Sequence, residues 1–248
     1  GIELAKPRVS WILESADRGE KQTAYQILVA GSADSLAKDQ GDLWDSGKIR
    51  SDQTTFVAYG GKPLASRLTC FWKVRSWNKD GKVSAWSEPA TWEMGLLDAK
   101  DWKAEWIART TSVDELPAPY FRKELVLDGE IKKARAYVCG LGYHELSING
   151  KKVGDQLLDP GFTRYDRRAL YVAHDVTPLL KQGANAVGVV LGNGWFNGQT
   201  KAVWNFHEAP WREAPKLLLS LAVEYTDGRK LVVGSDGTWK TGTGPIVF

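Results

Sequence analysis

The densest group of side chains able to hold a small polar molecule lies in Leu191–Gly198 (LGNGWFNG). Asn193, Trp195, Phe196 and Asn197 stand there between three glycines. An indole or phenyl ring can stack on the apolar face of a pyranose, and asparagine amides both donate to and accept from hydroxyls. The same string also suits a loop packed on its own core, with glycine supplying positive φ. Both readings stand at this level. Two further candidates for a sugar site are Asn149 and Asp155, in the string Glu145–Asp155 (ELSINGKKVGD). For Asn149 a hairpin turn is a competing role.

Other chemistry has less support. His144, His174 and His207 lack the HxxxH or HExxH spacing of a metal hydrolase. The first two read as partly exposed polar residues, His144 within a strand and His174 just before a helical turn. Neither a GxSxG elbow nor a phosphate-cradling GxxxxGK[ST] loop is present, and Gly140–Gly142 reads only as a turn between strands. A glycosidase needs two acids across one bond. Glu145, Asp155, Asp159, Asp166, Asp175 and Glu208 are available, but no spacing brings two of them together. Cys70 and Cys139 sit far apart in apolar runs and read as buried free thiols.

The elements that must carry these residues are strands. Thr23–Ala30, Cys70–Trp77, Tyr120–Leu127, Ala134–Cys139, Ala184–Leu191 and Leu217–Tyr225 are short apolar runs, several of them alternating. Cys70, Trp72 and Val74 fall on one face of their run, with Phe71, Lys73 and Arg75 on the other. Helical periodicity is almost absent. Asn149-Gly150 predicts a type I′ turn. Asp175–Leu180 (DVTPLL) predicts one helical turn capped by Asp175 or Thr177 and ended by Gly183. The predicted fold is all-β, two antiparallel β-sandwiches in tandem. The first covers residues 1–97 and is fibronectin-III-like or immunoglobulin-like. In it Trp86 of SAWSEP buries against the sandwich and Pro89 ends the ladder. The second covers residues 103–248. Gly95–Lys103 is a polar connector between them.

Composition fits this picture. Of 248 residues, 43% are hydrophobic and 25% charged, which argues against disorder. The net charge of +3 is spread out, so no nucleic-acid partner is expected. No stretch approaches the ~20 apolar residues of a membrane-spanning helix, and no membrane partner is expected. Tryptophan is abundant at 12 residues, beside 8 Tyr and 7 Phe. Both chain ends look cut, and Pro245–Phe248 (PIVF) reads as a strand start.

Read in order, the strings resemble the N-terminal part of bacterial α-L-rhamnosidases. They are RVSW at 8–11, QTAYQILVA at 22–30, DLWDSG at 42–47, SDQ at 51–53, FWKVRSW at 71–77 and SAWSEPATW at 84–92. MGLL at 94–97 and DWKAEWI at 101–107 look like the linker. Gly140–Asp155, LDPGFTRY at 158–165, Asp175–Leu180 and LGNGWFNG follow in the second module. The resemblance covers nearly the whole chain. It implies a non-catalytic portion of an inverting glycoside hydrolase that releases terminal L-rhamnose. The catalytic α/α toroid and its acids would lie further along the parent chain, so no catalytic residue is expected here. The implied partners are the remainder of that chain and rhamnose-containing glycans, and the implied location is the bacterial envelope or outside the cell. The alternative it implies is a rhamnose-binding module assisted by calcium, with Asn149, Asp155, Asn193, Trp195 and Asn197 as binding residues. Calcium takes six to eight oxygens, and Asp155, the Asn side chains and loop carbonyls are the hard ligands available. An adhesion ectodomain explains the first module but not LGNGWFNG.

Overall fold

A computed structural model describes the chain except Glu115, Leu116, Val203, Pro245, Val247 and Phe248. Three residues of the strand start expected at 245–248 therefore lie outside the described residues. The chain divides into two compact units, residues 1–101 and 102–248. Among the described residues every pairing between two strands is antiparallel, a single isolated bridge between Ile2 and Met94 being parallel, and the architecture is all-β. Among the described residues no helix is long and apolar enough to cross a membrane.

The first unit contains β1 (Arg8–Val9), β2 (Ala24–Ala30), β3 (Trp44–Asp45), β4 (Val57–Ala58), β5 (Thr69–Trp77) and β6 (Ala90–Glu93). One sheet runs in the order β3-β2-β5-β6, and β1 pairs with β4. Alternation works as expected on β5. Cys70, Trp72 and Val74 join Ile27 and Val29 in the core, while Phe71 turns to the opposite face. That face is covered too. A short helix the sequence pattern does not announce, α1 (Ala33–Ala37), is capped by Ser32, whose side chain accepts from Ser35 N. Its Leu36 packs with Leu28 and Ala30 against Phe71 and Trp86. Lys73 is buried here because Asp39 pairs with it and the Trp86 ring lies 5.2 Å away. Arg75 stands 4.5 Å over Trp86 and 5.4 Å over Trp77, and Lys48 stands 4.5 Å over Trp77. Cations and indoles thus alternate along the outer face.

The expected connector is less polar in space than in sequence. Leu96 is buried, Leu97 N donates to Ser66 Oγ, and the Arg67 guanidinium donates to Asp101 O. These contacts fasten the stretch up to residue 101 onto the first unit.

The second unit contains β7 (Ile107–Ala108), β8 (Pro119–Leu127), β9 (Ile131–Leu141), β10 (Tyr143–Ile148), β11 (Lys151–Lys152), β12 (Val172–Asp175), β13 (Gly183–Gly192), β14 (Lys216–Tyr225), β15 (Lys230–Gly234) and β16 (Lys240–Thr243). Sheet order is β11-β10-β13-β8-β16 in one layer and β12-β9-β14-β15 in the other, with β7 added at β14. Leu146, Ile148, Val187, Val189 and Leu191 of the first layer meet Ala136, Val138, Leu219 and Leu221 of the second in one core. Asn149 and Gly150 both take positive φ in the β10–β11 turn. Asp175 Oδ1 accepts from Thr177 N and Oγ1 at the start of the 3-10 turn Thr177–Leu179, and Gly183 takes φ of +91° beyond it. Both cysteines are free and buried, with burial raising the thiols to about 11 at Cys70 and about 12 at Cys139.

Candidate functional site

β9 has two buried faces. Ala134, Ala136 and Val138 point into the sandwich, and Cys139 and Leu141 belong to a second cluster on the outer face. Two segments whose described residues form no regular strand, within 160–171 and 193–212, supply the cover. Phe196 is buried with Cys139 and Leu141, and Tyr165, Tyr171, Trp211 and Leu218 pack around them. Large rings suit this task because each shields a wide area of sheet with few torsions to fix. Tyr165 and Phe196 meet edge to face at 5.5 Å. Burial, with Tyr143 and Cys139 nearby, pushes the Tyr165 phenol up to about 12, and its buried hydroxyl has no hydrogen-bond partner.

A second tier of rings lies in contact with this cover. Phe162 stands 6.5 Å from Trp195, 5.9 Å from Phe206 and 6.3 Å from Trp211. Trp195 and Phe206 are 4.9 Å apart, and Trp204 lies edge-on to Phe206 at 5.9 Å. Phe206 is buried. Trp195 is 38% exposed, Phe162 50% and Trp204 79%.

The polar groups of the LGNGWFNG loop are turned inward. Asn197 is 1% exposed. Its Nδ2 donates to Val113 O at 2.8 Å and to Asn193 Oδ1 at 3.2 Å. Its Oδ1 accepts from Arg212 Nε at 3.0 Å, and Arg212 reaches on to Asp114. Asn193 O accepts from Asn197 N, and Trp195 O accepts from Trp211 Nε1. Gly142 is required beneath the loop, since a Cβ there would lie 2.2 Å from Asn193 O.

The five candidate sugar residues are not brought together. Asn149 sits at the opposite end of the β10–β13 ladder. Ile148 faces Val187 and Tyr143 faces Gly192, so roughly 20 Å of strand separates Asn149 from Asn193. Its amide is engaged: Nδ2 donates to Leu179 O and Asn185 Oδ1, and Oδ1 accepts from Ala186 N. Asp155 is exposed beyond β11. Asn193, Trp195 and Asn197 share one loop, but only the Trp195 ring offers a surface. With oxygens of Asn149 and Asn197 occupied and Asp155 apart, these residues do not form the six-to-eight-oxygen cage calcium takes. Among the described residues no cluster of three or more His, Cys, Asp or Glu could hold a metal ion.

Three of the remaining carboxylates are individually paired. Glu145 pairs with Lys152 at 2.7 Å, Asp166 with Arg164 at 2.9 Å and Asp175 with Arg135 at 2.7 Å. His144 and His174 depart from expectation. His144 is 6% exposed, because alternation along β10 turns it inward with Leu146 and Ile148, and His174 is also buried. Their rings lie 6.3 Å apart and nearly perpendicular. Neither ring nitrogen of His144 has a hydrogen-bond partner, and burial, then His174, lower its pKa to about 4. Phe162, Trp204, Phe206 and Trp211 escaped sequence reasoning. The available signal was four large aromatics in segments lacking strand alternation.

Comparison with known proteins accounts for both modules. Residues 129–248 match the model of the α-L-rhamnosidase N-terminal domain, and residues 1–98 that of the Rha78A-like N-terminal immunoglobulin domain. An α-L-rhamnosidase of Formosa agariphila is 41% identical over all of this chain. The solved α-L-rhamnosidase from Dictyoglumus thermophilum superimposes with a TM-score of 0.90 at 38% identity, and that from Aspergillus terreus with 0.87 at 36%, each over the whole chain. The chain spans 28% of the length of each of these three relatives. Through both modules, then, it belongs to the N-terminal portion of the α-L-rhamnosidase family.

Proposed function

We propose that these 248 residues are a non-catalytic part of an α-L-rhamnosidase that braces and positions the part carrying the active site. The observation that carries this reading is the exposed aromatic tier of the second unit, formed by Phe162, Trp195 and Trp204. Phe162 and Trp195 lie 6.5 Å apart and Trp204 joins them through the buried Phe206 ring, yet the adjacent asparagine amide of Asn197 is spent on Val113, Asn193 and Arg212. A surface that selects a sugar needs unspent polar groups converging beside the ring. A surface that packs on protein needs apolar area with its polar groups already satisfied.

A rhamnose platform at Trp195, with or without calcium, is the second reading, favoured by the half-open ring next to Phe162. Titration of the chain with L-rhamnose, with and without calcium, separates the two when followed by tryptophan fluorescence. The bracing reading expects no saturable change in either case. A saturable response lost in Trp195→Ala, with unfolding unaltered, would establish the platform instead. Incubation with p-nitrophenyl rhamnoside is expected to give no turnover above a heat-killed control.

A further inference from the structure

Resting on the bracing reading, we infer that the face formed by Trp204, Phe162 and Trp195 is the docking surface for the rest of the parent rhamnosidase chain, with Trp204 as its anchor. Among the described residues Trp204 is the most exposed of the large aromatic side chains, at 79%, and its backbone sits at φ of +56°. A bulky residue pays steric strain in the left-handed region, where glycine or asparagine is the usual occupant. The next residue, Asn205, is also left-handed at φ of +52°. Two such residues in succession turn the chain sharply and hold the indole out from the buried Phe206 ring 5.9 Å away. Holding a large apolar ring in water on a strained backbone opposes folding of this unit by itself, so what it gains must come from a contact made elsewhere.

The ring is not isolated. Through the buried Phe206 it connects to the exposed Trp195 and Phe162 rings in one aromatic cluster. Exposed aromatic clusters with a protruding Trp are the composition of protein–protein anchors. The occupant follows from length. The matched relatives are more than three times as long as this chain, so most of such a protein lies outside these residues and is covalently tethered to them. Tethering raises its effective concentration far above that of any free partner. A second copy of the chain or a glycan is thereby the less favoured occupant.

Hydroxyl-radical footprinting, read by mass spectrometry on this 248-residue chain and on the full-length parent, tests the assignment. Trp204 and Phe162 are expected to be modified several-fold more slowly in the parent than in the isolated chain. Trp204→Ser in the parent is expected to lower its thermal inactivation midpoint while leaving the unfolding of the isolated chain unchanged. If Trp204 labels equally in both proteins while other residues of this chain become protected, docking occurs elsewhere and only the present assignment fails. If no residue of this chain changes its labelling, the bracing reading fails as well. Protection of Trp204 in the isolated chain by L-rhamnose, or on self-association at higher concentration, would overturn the assignment in favour of a sugar platform or a homodimer face.

Discussion

Replacing His144 by phenylalanine should remove a specific acid sensitivity from the second sandwich. In the fold the His144 ring is enclosed between β10 and Gly140 of β9, neither nitrogen is hydrogen-bonded, and its pKa falls to about 4. In the unfolded chain it returns to about 6.5. The folded pKa is the depressed one, so between pH 6.5 and 4 the unfolded state binds the extra proton and stability falls as pH falls. At about 1.4 kcal/mol for each tenfold change in proton affinity, the loss across that window is about 3 kcal/mol. Burial lowers His174 too, against an opposing Asp159 charge, and adds in the same direction. Glu145, Lys152 and Asp159 are the other charged groups around the pair. The carboxylates whose pKa values are lowered in this unit, among them Asp175 and Asp236, act only as pH drops below their ordinary values near 4. The two windows are therefore separable. Urea unfolding followed at several pH values from 7.5 to 4 is the assay. The wild type should lose about 3 kcal/mol more than His144→Phe over that range. Equal pH slopes for the two proteins would refute the assignment of a neutral, buried His144.

Three further outcomes are expected. Asn197→Ala strands the Val113 carbonyl and Arg212 Nε, and should destabilise the second unit by about 1–3 kcal/mol in denaturant melts. Gly142→Ala drives a methyl against Asn193 O and should cost a similar amount, on the order of 1–3 kcal/mol, with a shifted Trp195 emission. Arg75→Ala breaks the stack between Trp77 and Trp86 and should lower only the first unit's stability, by about 1–2 kcal/mol, the second transition serving as the internal control.

What could be read from sequence was the local part. Alternation on β5 and β13, the Asn149-Gly150 turn and the Asp175 cap depend on neighbours a few residues away, and the string shows them directly. The roles that escaped depend on distant partners. Asn197 looks like a free amide until Val113, 84 positions earlier, is brought to it. Asn149 binds across to Ala186 as well as shaping its turn. His144 looked polar and exposed, although its place in the β10 alternation puts it inside. β9 pattern arguments assume one buried face, and here the outer face carries its own cover of Phe196, Tyr165 and Trp211. Long loops that fold back over a sheet leave no periodic trace.

Whether this chain braces a rhamnosidase or captures its sugar is decided by comparing the parent enzyme with a form lacking residues 1–248, at matched concentration on an aryl rhamnoside. Bracing predicts a lower thermal inactivation midpoint and a reduced kcat for the shortened form, and no shift in the unfolding midpoint of the isolated chain when L-rhamnose is added. An unchanged inactivation midpoint and unchanged kcat in the shortened enzyme would contradict it.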